Sequence, residues 1–153
     1  MGVIGVATQA RILALKVASD ADPNGFNDAD IIAAMDYCVT MKSRGVNLVA
    51  INASWGGSSP NTAMRDAILA VGNAGIIFCA GAGNNAANND ASPFYPAAYH
   101  LANMIVVAAS DQNDGLASFS DYGPTTVDLA APGVNILSTI PVSQAGTTDR
   151  KST

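Results

Sequence analysis

Apolar and polar positions follow two rhythms along this chain. Ile31, Ile32, Met35, Cys38 and Val39 recur three and four apart, the spacing of one helical stripe. The same rhythm returns at Met64, Ala67, Ile68 and Val71. It predicts helices over about 29–43 and 61–73. Asp28 is the expected cap of the first and Gly45 lies beyond its end, while Ser59 and Pro60 open the second and Gly75 ends it. Residues 11–17 alternate and are rich in β-formers, and 46–53 and 76–80 are short apolar runs, so all three read as strands. Further strands are expected at 104–110, 127–131 and 136–139. The early order is strand, helix, strand, helix, strand. Such alternation implies parallel pairing through right-handed crossovers, hence an α/β fold with a doubly wound parallel sheet. Residues 20–27 form a polar turn. Residues 81–103 form a long loop of Asn, Ala, Gly and Pro, and loops of that length in compact domains usually carry function.

Composition narrows the class. The 153 residues make one ordinary domain, with no internal repeat and no dividing linker. Charged residues are 12% of the chain and apolar ones 49%, so elements buried on both faces are expected, as in a parallel sheet. Seven Lys and Arg against twelve Asp and Glu leave a net charge of −5. That balance excludes a nucleic-acid binder, which needs a basic patch to neutralise phosphates. No apolar run nears the roughly 20 residues of a membrane span. Arg11 and Lys16 follow the first apolar residues, whereas a signal peptide's charges precede them; a secreted form would already have lost its signal. Cys38 and Cys79 sit in apolar surroundings and read as small buried hydrophobes, with no disulfide framework. Neither has the electropositive setting that would make it a nucleophile paired with His100.

In open α/β sheets chemistry gathers at the carboxyl ends of the strands. Two segments stand there, Asn52-Ala53-Ser54-Trp55-Gly56-Gly57 and Cys79-Ala80-Gly81-Ala82-Gly83-Asn84-Asn85. Their glycines admit another backbone, and Asn84 offers a neutral amide donor of the kind that stabilises a developing oxyanion. The residues alone leave a second reading open, in which Asn84 merely caps a loop. Other motifs fail on inspection. Asp20, Asp22, Asn24 and Gly25 match half an EF-hand loop, but Ile31 stands where its bidentate Glu is required. Ser54 has half of a nucleophile elbow, and Gly81 and Gly83 lack the rest of a dinucleotide fingerprint. His100, the sole histidine, has no carboxylate and nucleophile around it. No acid–base–nucleophile set can be assembled.

The strand-end segments, taken with four others in the same order, resemble the middle of the catalytic domain of subtilisin-like serine proteases (subtilases). The others are the run from Gly2 to Ala7 followed by 11–17, Tyr95-Pro96-Ala97, Ala117-Ser118-Phe119-Ser120 with Tyr122-Gly123, and Asp128-Leu129-Ala130-Ala131-Pro132-Gly133. The resemblance implies a partial subtilisin-like fold over 1–140, followed by a polar tail over 141–153. It implies that Asn84 is the oxyanion donor and that Ser54, Trp55, Gly56, Ala82 and Gly83 bind an extended peptide or protein substrate. Trp55 would wall a side-chain pocket, unless it serves only core packing. The family's catalytic Asp and His would precede Gly2 and its nucleophile would follow Thr139, so this chain is expected to hold no triad and to be inactive alone. No cofactor is required, although Asp128 with the carbonyls of Ala97 and Tyr99 could hold a weak calcium. The parent family's setting is secreted or extracytoplasmic. Two alternatives stand beside the protease fragment: a non-catalytic folding or interaction module, and one subunit of a split protease. An exposed core face would make the chain a homo-oligomer, with no nucleic-acid or membrane partner.

Overall fold

A computed structural model describes residues 5–18 and 25–137. Helix α1 spans Asp28–Ser43 and α2 spans Thr62–Asn73; strands β1 (Ala50–Ala53), β2 (Ile77–Gly81), β3 (Met104–Ser110) and β4 (Leu129–Pro132) form one sheet in the order β1-β2-β3-β4. Every neighbouring pair is parallel, as the alternation of elements requires.

Local chemistry moves several boundaries. Asn27 caps α1 in place of Asp28, its side chain accepting from Asp30 N at 2.9 Å. Asp28 instead accepts from Asn61 Nδ2 at 2.5 Å. Asn61, not the Ser59–Pro60 pair, caps α2 by accepting from Met64 N at 3.2 Å. Both caps satisfy an N–H that the helix itself cannot. β1 begins at Ala50 rather than at Val46, and β4 begins two residues later than expected and ends one later. Ile136 and Leu137 are in no strand, and 138–139 lie outside the described residues, as do 19–24 of the polar turn.

Residues 11–17 form no strand, and 11–16 are exposed. A cavity of about 400 Å3 separates this segment from β1; Ile12, Leu15, Ile31, Met35 and Phe78 are among its walls. Alternation of side chains favours an extended backbone, but a strand also needs a ladder partner, and among the described residues 11–17 pair with none.

The core lies on one face of the sheet. Phe78, Ala80, Met104, Val106 and Ala108 are buried there with Met64, Ala67, Ile68 and Val71 of α2 and Ile31, Met35 and Cys38 of α1. Phe78, Ile68 and Val71 are fully buried, each contributing on the order of 1.5–3 kcal/mol through its burial. Side chains alternate across a strand, so Ile77, Cys79, Ile105, Val107 and Leu129 occupy the opposite face. Ile77 and Leu129 are 44% and 47% exposed there. Parallel sheets ordinarily bury both faces; among the described residues, α1 and α2 join only the Phe78 side.

The long loop is tied down by Asp90. Its Oδ1 accepts from Thr126 N at 3.0 Å and Thr126 Oγ1 at 2.7 Å, and its Oδ2 accepts from Thr125 N at 3.1 Å. The Thr126 hydroxyl, with help from these N–H groups and against partial desolvation, holds the carboxyl below its ordinary value of 3.8. A depressed folded-state pKa gives stability that is present above the unfolded value and lost as pH falls through the folded one. Asp90→Asn is therefore expected to lower the melting temperature at pH 6, and the gap from wild type should shrink progressively below pH 3.8. Thermal melts across that range check it; a gap independent of pH would contradict the tie.

Candidate active site

The parallel ladder sets the two candidate segments side by side. Asn52 pairs with Cys79 and Ala53 with Ala80, so both strands leave the sheet at the same level. Between them lies a cavity of about 240 Å3 lined by Trp55, Gly56, Gly81, Gly83, Asn84, Asn85 and Phe94. Four of the six residues singled out for peptide binding and oxyanion stabilisation are therefore on one wall-set. Ser54 is exposed beside it, its Oγ accepting from Asn52 Nδ2 at 3.0 Å. Ala82 is not on the wall. It is buried, its N–H donates to Val107 O at 2.9 Å, and its carbonyl accepts from Asn89 Nδ2 at 2.8 Å.

Two glycines are required by geometry. Gly83 has φ +119°, and a Cβ there would strike the Asp121 carboxylate. Gly56 presses against the Phe94 ring, and a Cβ there would also sit 2.5 Å from the Tyr95 carbonyl. The next residue, Gly57, exchanges both backbone hydrogen bonds with Tyr95, each at 2.8 Å. The Trp55–Gly57 wall is thus braced on one side by the loop that carries Phe94.

Trp55 serves two purposes. Its ring stands edge-to-face with Phe26 at 6.4 Å and with Phe78 of the core at 6.2 Å. It is half-buried against the core cluster and also lines the cavity. With Gly56 it borders a second cavity of about 240 Å3, whose other walls include Phe26, Met64 and Tyr95. Packing and pocket formation are not alternatives for this residue.

Asn84 is half-buried, and its Oδ1 is buried without a hydrogen-bond partner. Among the described residues its side chain caps nothing. Asn89 Oδ1 is likewise buried without a partner, so what sets Asn84 apart is its place on the cavity wall. The turn around it is fixed by others. Asp121, fully buried, accepts at Oδ1 from Asn85 N at 2.7 Å and from Ala87 N at 3.0 Å.

The remaining candidates lie elsewhere. Asp128 Oδ2 accepts from Val106 N at 2.7 Å, and Asp128 N donates to Val106 O at 3.0 Å. Ala97 and Tyr99 bound a single 3-10 turn, and the Tyr99 hydroxyl bridges the backbone N–H and carbonyl of Asn61, each at 2.8 Å. Among the described residues no three His, Cys, Asp or Glu side chains are grouped as metal ligands would be. His100 contacts the Thr125 carbonyl through Nε2. Burial pushes both the Cys38 and Cys79 thiols up, which disfavours the reactive thiolate. No helix among the described residues is long and apolar enough to cross a membrane.

Phe94 and Asp121 belong to the site and carried no motif. The available signal was position: Phe94 precedes the Tyr95-Pro96-Ala97 block, and Asp121 is a lone charge between Ser120 and Tyr122 in an otherwise uncharged stretch.

Known proteins share this fold. The profile of the Subtilase family matches residues 1–153. The chain is 40% identical over 140 residues to the thermophilic serine proteinase of Bacillus sp. (strain AK1), a match covering 91% of this chain and 31% of that protein. It is 37% identical over 143 residues to subtilisin BL of Lederbergia lenta, covering 94% of this chain and 48% of the relative. The solved structure of a cold adapted subtilisin-like serine proteinase superposes with a TM-score of 0.61 at 28% identity, over 73% of this chain and 38% of that one. The chain thus spans less than half the length of these relatives, and it belongs to the subtilase family.

Proposed function

We propose that this chain is the peptide-binding and oxyanion-hole segment of a subtilisin-like serine endopeptidase. It lacks the catalytic Asp, His and Ser and is inactive by itself. The observation that carries this reading is the gathering of Asn84 with Trp55, Gly56 and Gly83 on one cavity between two strand ends. An extended peptide would run along the backbone of Ser54, Trp55 and Gly56, as strand addition requires, with a side chain entering the cavity beside Phe94. The scissile carbonyl oxygen would face Asn84, whose neutral N–H donors strengthen their hold as negative charge develops there. The nucleophile and its base would come from chain that this segment does not contain, through covalent continuation or in trans.

Apolar surfaces left open support the same reading. The cavity between residues 11–17 and β1 and the sheet face bearing Ile77 and Leu129 are places where a complete domain packs further chain. The chain alone should not hydrolyse a general peptide substrate. Joined to the remaining segments of a relative such as subtilisin BL, it should. In that chimera Asn84→Ala is expected to lower kcat by about 10²–10³-fold with little effect on folding, a loss known for the oxyanion donor of a subtilisin and taken over from it. An unchanged kcat would reject the oxyanion assignment.

The open sheet face also favours a second reading, a self-associating remnant of the protease fold. A second copy would bury the Ile77 and Leu129 face most simply by two-fold symmetry, since exposed apolar patches seek a partner. Sedimentation at micromolar concentration should show a dimer; a stable monomer with a cooperative melt would argue that the segment closes its own core. A weak calcium between Asp128 and the carbonyls of Ala97 and Tyr99 belongs to the protease reading, calcium being an oxygen-binding ion. Millimolar calcium should then raise the melting temperature, and an unchanged value counts against the site.

A further inference from the structure

Asp121 is 0% exposed, and among the described residues no basic side chain forms an ion pair with it. A buried carboxylate without a cation is costly unless several N–H groups take the cation's place. Here they do, and all of them come from one short stretch. Oδ1 accepts from Asn85 N and Ala87 N at 2.7 and 3.0 Å, and Oδ2 from Asn85 Nδ2 at 3.4 Å. Asp121 N donates in turn to Gly83 O at 2.9 Å. These four bonds bracket Asn84 on both sides while Asn84's own side-chain oxygen has no partner. The carbonyl of Asp121 is itself held: Ser120 Oγ donates to it at 2.9 Å and accepts from Ala109 N of β3 at 2.9 Å. A chain of hydrogen bonds thus runs from the sheet to the turn.

We infer that Asp121 is the positioning residue for Asn84, holding turn 83–87 so that the Asn84 amide stays at the cavity wall. The function of that amide rests on the reading proposed above; its placement does not. The carboxylate suits the task because it only accepts, so both oxygens can receive donors from the same turn. An Asn at 121 could keep Oδ1 and the two backbone bonds. It would, however, set an NH2 group against Asn85 Nδ2, on the side where a Cβ added at Gly83 would strike Oδ2. A graded series follows, with wild type tightest, Asp121→Asn intermediate and Asp121→Ala loosest.

Hydrogen exchange and 15N spectra of the 153-residue chain test this without any catalytic readout. Asp121→Ala should speed exchange of the Asn85 and Ala87 amides by about tenfold or more, the size expected for losing a bond to a charged acceptor. It should also shift the Asn84 side-chain NH2 pair, while the Ala80 and Val106 amides keep their protection. Asp121→Asn should recover part of the protection and part of the shift. Wild-type values at Asn84, Asn85 and Ala87 in Asp121→Ala would overturn the inference. So would an equal loss of protection across β2 and β3 in both variants, which would make Asp121 a support of the core rather than of the turn. If Asp121→Ala does not fold, Asp121→Asn decides by the same comparison. An unchanged kcat in Asn84→Ala would remove the oxyanion role and leave this placement standing, whereas the outcomes just named would remove the placement and leave the role.

Discussion

The register of the β1–β2 ladder is the constraint on which the site depends. Ala53 opposite Ala80 releases both chains from the sheet at one level, so the Ser54 and Gly81 segments emerge as neighbours. A slip of two residues would preserve the buried and exposed faces but displace one segment by about 6.6 Å along the other, since a strand advances roughly 3.3 Å per residue. That exceeds hydrogen-bond reach and would separate Trp55 from Asn84. A slip of one residue would turn Phe78 and Ala80 to the open face and lose the core. Burial of Phe78 and Ala80 against α2 therefore selects the register, and the register assembles the cavity.

Close packing finishes what the register begins. Gly56 lets the first wall lie on Phe94, and Gly83 lets the second lie on Asp121. Phe94 is held by its neighbour Tyr95, whose backbone pairs with Gly57. Asp121 is held through Ser120 to β3. Each wall is thus braced by a residue from a different part of the chain, which is how an irregular, glycine-rich site can be rigid. Asn84 sits between these braced residues and lines the cavity itself.

Much of this was legible in the sequence because it rests on local rules. The stripe Met64, Ala67, Ile68 and Val71 is the buried face of α2, and Met104–Ser110 has the bounds its apolar run suggested. The strand-end placement of Trp55, Gly56, Gly83 and Asn84 followed from the order of elements. Illegible parts depend on partners distant in sequence. Residues 11–17 have a strand's alternation without a strand's neighbour. Asn27 and Asn61 outcompete the predicted caps because the helix begins where a side-chain oxygen can reach an N–H, a matter of one or two residues that periodicity does not resolve. Asp121 and Phe94 act across about 36 and 38 residues respectively on Asn85 and Gly56, and no spacing rule links such pairs.

Family membership joins these observations to a chemistry without supplying all of its parts. On the proposed reading the walls of a peptide site and one polar donor are in this chain, and the open sheet face and the gap beside β1 are where further chain would pack. Whether the two strand ends receive an extended peptide is the question beneath every functional statement made about them. Titration of a short extended peptide into the 15N-labelled chain answers it most directly. Shift changes should concentrate at the amides of Ser54, Trp55 and Gly56 and at Gly81, Gly83 and Asn84. Changes confined to the Ile77 and Leu129 face, or none at saturating peptide, would contradict it.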